Sequence, residues 1–247
     1  MKEFYIDSDG MKLHAKLEVP EGIKKCPLLI VVHGLTGNME EEHIVAVAQT
    51  AVEIGYAALR VEMYGHGQSE GDFSRHTLLK WIGNILDVYR YARSLDFVSD
   101  IYLTGHSQGG LLTVLAGGLL NRKLKAILPL SPAVMIPEEA RKGNLLGIEF
   151  DPDNVPDRLD FFDHELGADY LQTIQLIHVE EMVRRYRNPV LVVHGTEDEA
   201  VPFRYGRQLA HDYRNGRIVP VAGADHCFVG HVGELCDAVR KFLLENR

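Results

Sequence analysis

Hydrophobic and polar residues alternate at the start of the chain. Phe4, Tyr5 and Ile6 precede a turn at Asp9-Gly10, and Leu13, Ala15, Leu17 and Val19, spaced by polar residues, follow it. A repeat of two sends successive side chains to opposite faces, which predicts a half-buried antiparallel hairpin. From Pro27 the pattern changes to the unbroken apolar run Leu28-Leu29-Ile30-Val31-Val32, and similar runs recur at 56–61, 101–104, 126–130, 190–193 and 218–221. A strand without polar alternation is one covered on both faces. Between the runs lie segments of helical spacing, such as Ile44, Val47, Ala48, Ala51 and Val52, or Leu111, Val114, Leu115, Gly118 and Leu119. Strand and helix alternate, so the expected fold is α/β: a mostly parallel eight-stranded sheet with helices on both faces. Ligands of such sheets bind beyond the carboxyl ends of the strands, which singles out the loops 33–37, 65–67, 105–110 and 194–202. One connection breaks the rhythm. Residues 133–187 are too many for a simple crossover, so they are expected to form a small inserted lid, with 1–132 and 188–247 as the core.

Composition narrows the function classes. The 247 residues are 46% hydrophobic and 25% charged, the balance of one α/β domain rather than two. A net charge of -9 argues against a nucleic-acid partner, which requires a clustered Lys/Arg footprint to displace counterions. The short basic cluster Arg184-Arg185-Tyr186-Arg187 reads as a solvated helix face. The first residues lack the apolar core of a secretory signal, and no later stretch is apolar enough to span a bilayer, so a cytoplasmic protein without a membrane partner is expected. Cys26, Cys227 and Cys236 are odd in number and lack C-x-x-C spacing, which points to incidental thiols and to no metal site.

The chemistry concentrates after three of the strands. Gly105-His106-Ser107-Gln108-Gly109 fits G-x-S-x-G and lies between the strand 101–104 and a helix expected from near Leu111, the context that raises a serine above the sheet. The alternative reading makes Ser107 a plain helix cap. A serine hydroxyl needs a base within reach and a third group to hold that base, and in this arrangement acid and base follow the serine along the chain. Glu197, Asp198 and Glu199 are the available acids; Asp198 is chosen because its short side chain holds an imidazole with fewer rotatable bonds. His226, in the loop after the last strand, is the candidate base. His211 falls in a helical stretch, His231 near the start of the final helix, and His106 points away from the serine oxygen. For the oxyanion of an acyl-transfer intermediate, the candidate donors are the backbone N–H groups of Gln108 and Leu35. His33 is expected to brace the loop that carries Leu35.

Gly34, Gly65-His66-Gly67-Gln68-Ser69, Gly105-His106-Ser107-Gln108-Gly109, His194-Gly195-Thr196-Glu197-Asp198 through Val201-Pro202, and Asp225-His226 follow one another in an order that resembles the α/β-hydrolase superfamily over essentially the whole chain. That likeness also places the triad acid at Asp198. Gln108 after the nucleophile, the short antiparallel start and the compact insertion resemble the bacterial cinnamoyl or feruloyl esterases. The resemblance implies hydrolysis of esters between a hydroxycinnamic acid and a sugar or small alcohol through an acyl-enzyme, with no metal or cofactor. It implies an insertion that covers the site and binds the aromatic acyl group, with Tyr170 and Gln172 or Gln175 as candidates to bond a phenolic hydroxyl, lid packing being the alternative for each. The expected partner is thus a small aromatic ester, and a homodimer is compatible with the chain. An acylglycerol or a general short-chain ester is the runner-up; monoacylglycerol lipases usually have methionine where Gln108 stands. A non-catalytic binding module would be free to lose the serine, acid or base, and all three are present.

Overall fold

The computed structural model describes residues 1–247. The chain opens with β1 (Lys2–Ser8) and β2 (Met11–Glu18), the hairpin that the alternation predicts, in a register that pairs Phe4 with Ala15 and Ile6 with Leu13. It continues through β3 (Cys26–Val32), α1 (Glu42–Glu53), β4 (Ala57–Val61), α2 (Leu78–Ser94), β5 (Val98–His106), α3 (Gln108–Leu120) and β6 (Ile127–Leu130). A run of short elements follows: α4 (Ile136–Ala140), β7 (Asn144–Leu145), β8 (Ile148–Glu149), β9 (Arg158–Phe161), β10 (His164–Gly167), α5 (Ala168–Ile174) and α6 (Val179–Arg185). The chain then returns to the sheet with β11 (Val190–Gly195), α7 (Phe203–Asp212), β12 (Gly216–Val221) and α8 (Val232–Glu245).

Eight strands form one sheet in the order β1-β2-β4-β3-β5-β6-β11-β12. Only β1 with β2 and β2 with β4 run antiparallel; every later pairing is parallel. This is the α/β-hydrolase fold. The unbroken run of β3 has the expected cause, since all seven of its residues are buried. Leu28, Ile30 and Val32 join a core with Trp81 and Val88 of α2 and Leu111 and Leu115 of α3. Leu29 and Val31 face the opposite way, into a second core with Ile44 and Val47 of α1 and Leu235 and Val239 of α8.

Helix α3 begins at Gln108, three residues before the start that the sequence suggests. Gly109 and Gly110 are poor helix formers, and tertiary packing overrides that preference. A Cβ on Gly109 would stand 2.3 Å from the carbonyl oxygen of His33, so a glycine is what lets the helix start touch the end of β3. The inserted segment is not a loose flap: Leu159, Phe161, Leu166, Tyr170, Leu171 and Ile174 belong to the same core as α2 and α3. Its two hairpins, β7 with β8 and β9 with β10, stand apart from the main sheet. No helix is long and apolar enough to cross a membrane.

Candidate active site

Strand β5 delivers Ser107 at its carboxyl end, where the backbone turns sharply into α3. Ser107 has φ 56° and ψ -117°, a conformation that a side chain rarely adopts and that costs on the order of 1–3 kcal/mol. Neighbours hold it there: its N–H donates to Leu130 O at 2.9 Å, and its carbonyl accepts from Leu111 and Ala133 N–H, each at 3.0 Å. Gln108 is the first residue of α3, so its backbone N–H is one of the donors that a helix start leaves free.

The loop after β3 supplies the second expected donor. Its Gly34 carbonyl accepts from His33 Nδ1–H at 2.7 Å and from Gly37 N–H at 3.3 Å. In a trans peptide the N–H opposes the carbonyl, so fixing Gly34 O also fixes the direction of Leu35 N–H. His33 Nε2 in turn accepts from Met63 N–H at 3.1 Å, the bracing role expected of it. Burial lowers the pKa of His33 to about 3, which keeps the ring neutral with one donor and one acceptor. His66 lies against the Leu35 carbonyl from the other side.

The candidate acid and base stand beyond β11 and β12. His226 Nδ1–H donates to Asp198 Oδ2 at 2.7 Å, which leaves Nε2 as the nitrogen turned away from the acid, and His226 and Ser107 line the same cavity. Asp198 Oδ1 accepts from Val201 N–H at 2.7 Å. A second histidine, His194 on β11, shares its Nε2–H between Asp198 Oδ2 at 3.1 Å and Val201 O at 2.8 Å. Burial alone would raise the Asp198 pKa, but the hydrogen bonds from His194, His226 and Val201 outweigh it and hold the carboxyl well below the usual carboxylate range. His106 donates from Nε2 to His226 O at 2.8 Å and thereby ties the loop of the base to the strand of the nucleophile. A serine, an imidazole and a buried carboxylate in this order can perform acyl transfer.

The serine aminopeptidase S33 family of hydrolases matches residues 24–151, and the TAP-like protein family matches residues 172–247. The chain belongs to the S33 family of α/β-hydrolases. A structure of Est1E from Butyrivibrio proteoclasticus with ferulic acid bound is 51% identical to this hydrolase, covers 98% of each chain and superposes with a TM-score of 0.97. A second Est1E structure is 48% identical over 100% of this chain and 99% of its own, with a TM-score of 0.94. Among curated proteins, the lysophosphatidylserine lipase ABHD12 of Danio rerio is 27% identical over 74% of this chain and 46% of its own length. The hydrolase spans roughly half to three-fifths of the curated relatives it matches at this level.

Its cavity, of about 600 Å³, opens over Ser107 and His226, within the size range of small-molecule sites. The insertion contributes Met135, Glu139, Asn144, Leu146, Phe161 and Phe162; the start of α7 contributes Arg204 and Tyr205; Glu41 and Cys227 line it as well. Tyr205 OH donates to Glu139 Oε1 at 3.0 Å. Of the three residues expected to reach a phenolic hydroxyl, none lines this cavity. Tyr170 is fully buried, and its hydroxyl donates to Gln108 Oε1 at 2.7 Å. Gln172 faces solvent, and Gln175 Nε2 donates to the Leu171 carbonyl of its own helix. Their physical place is structural: one turn of α5 buries Tyr170 and Leu171 and therefore turns Gln172 outward. Sequence reasoning missed His194 and Glu41. The first stood in the motif at i-4 from Asp198; the second had no motif to mark it.

Proposed function

We propose that this hydrolase is a serine carboxylesterase that cleaves esters of hydroxycinnamic acids. The observation that carries the reading is the likeness, over almost the whole of both chains, to a structure that holds ferulic acid. The cavity agrees in character: Met135, Leu146, Phe161 and Phe162 give an apolar and aromatic wall beside the nucleophile, where a flat phenyl ring gains contact area and offset stacking.

In the proposed cycle Ser107 attacks the ester carbonyl while His226 takes its proton. The oxyanion is received by the N–H groups of Gln108 and Leu35, each such donor typically contributing about 10²–10³ in rate. His226 then protonates the departing alkoxide. Water repeats the sequence on the acyl-enzyme, and Asp198 stays ionised throughout and fixes the imidazole tautomer. Hydrogen bonds between serine and base often tighten only when substrate arrives; in the resting structure Ser107 and His226 share the cavity wall, and the closest polar tie of the His226 ring is to Asp198.

The test is kcat/KM on methyl ferulate beside a short-chain p-nitrophenyl ester and a monoacylglycerol, for the wild type and Ser107→Ala. Preference for ferulate, lost in the variant, is the expected result. Preference for the acylglycerol would move the protein to the lipases and leave only the acyl-transfer chemistry.

A further inference from the structure

Gly37, Glu41 and Cys227 line the cavity together with His226. Glu41 precedes α1, yet its side chain makes no capping bond to that helix. Its Oε2 instead accepts from Asn38 N–H at 3.3 Å, and the carboxyl group lies over Gly37 so closely that a Cβ there would stand 2.3 Å from Oε2. A side chain at position 37 would expel the carboxylate from this place. Oε1 receives no hydrogen bond from the protein and is not sealed from solvent, and Glu41 lines the cavity. Burial raises the Glu41 pKa, while the Asn38 N–H and His226 oppose the rise. Burial, followed by the charge of Glu41, likewise pushes the Cys227 thiol up to about 11. Glu41 shares the cavity wall with His226 and with Cys227, the next residue along the chain.

That position decides which half of the ester it meets. His226 hands its proton to the departing alkoxide, so the alcohol oxygen must lie on the His226 side of Ser107. The acyl group then extends the other way, beneath the apolar side chains of the insertion. A carboxylate is acceptor-only, and its hydrogen bonds are charge-assisted. A hydroxyl-bearing alcohol can satisfy Oε1; an alkyl alcohol leaves it unmet, and an anionic one is repelled.

We propose that Glu41 is a specificity-determining residue of the alcohol subsite, where its free oxygen accepts hydrogen bonds from hydroxyl groups near the ester. The enzyme then favours esters of polyhydroxy alcohols over methyl esters and discriminates against alcohols that carry a carboxylate. The inference rests on the esterase reading and is independent of which acyl group is preferred.

The experiment measures kcat/KM for the wild type, Glu41→Ala and Glu41→Gln on methyl and sugar esters, each as the ferulate and as the acetate, and on the ferulate ester of a hydroxy acid. Glu41→Ala should lose about tenfold more on the sugar ester than on the methyl ester, for both acyl groups. Glu41→Gln should gain about tenfold on the hydroxy-acid ester, because the like charge is gone. Thermal unfolding of both variants checks that they fold, and Glu41→Gln alone carries the charge test should Glu41→Ala fail to do so. Equal losses on methyl and sugar esters would mean that Glu41 acts on His226 and would overturn the proposal, as would an unchanged hydroxy-acid rate in Glu41→Gln. Should the enzyme prefer acetate while Glu41→Ala still lowers the sugar-to-methyl ratio, the hydroxycinnamate reading fails and this one stands.

Discussion

Asp198 receives three donors and uses each differently. Val201 N–H fixes the carboxylate plane, His226 is the proposed base, and His194 shares the oxygen that faces it. Replacing His194 by Phe leaves a buried carboxylate short of a donor, a loss of about 3 kcal/mol by the usual cost of an unmet charged group. His194→Phe should therefore lower both Tm and kcat, and a variant with wild-type kcat would show that His226 alone positions the acid. Tyr170→Phe tests a second assignment. Its hydroxyl holds Gln108, whose N–H is the expected oxyanion donor, so kcat should fall in the same proportion on ferulate and on unsubstituted cinnamate. A loss confined to ferulate would restore Tyr170 to phenol recognition. The candidate triad could be picked out of the sequence because acyl transfer dictates the residue types and the fold dictates their order. Tyr170 was left between phenol recognition and lid packing for the complementary reason: a sequence states that a tyrosine is present and not which way a short buried helix turns it. Glu41, Met135 and Tyr205 were invisible because a cavity wall is assembled from segments distant in the chain, with no spacing rule.

At the scale of elements, long strands and helices were readable and short ones were not. The runs in β3, β4 and β11 stand out because both faces of the sheet are covered, whereas the seven elements of the insertion have two to seven residues each, too few for a period to declare itself. The hairpin of β9 and β10 shows what such an element does. At its tip Phe162 has φ 53° and is 76% exposed, yet it lines the cavity. A phenylalanine in the left-handed region pays about 1 kcal/mol or more that a glycine would not. Phe162→Gly should leave Tm unchanged or raise it while KM for methyl ferulate rises severalfold. A lower Tm with unchanged KM would make the ring a packing residue of the hairpin.

The whole molecule couples stability to pH through histidines buried neutral. Burial lowers the pKa of His33 and His76 to about 3 and that of His43 to about 4, against about 6.5 in an unfolded chain. Unfolding therefore takes up protons between these values, so the stabilisation is complete above about pH 6.5 and drains away as pH falls below it, by about 1 kcal/mol per histidine per pH unit. Tm measured from pH 7.5 to 5 should be level at first and then fall steeply; a level Tm down to pH 5 would refute the role of these rings. The charge that matters most is one the enzyme makes for itself. Ester hydrolysis turns a neutral guest into an anion inside walls bearing Glu41, Glu139 and Glu199 against Arg204, on a chain of net charge -9. A carboxylate product therefore meets more like charge in this chamber than its ester does, and free ferulate should inhibit more strongly as salt screens the repulsion; inhibition that weakens with salt would show that Arg204 outweighs the acids.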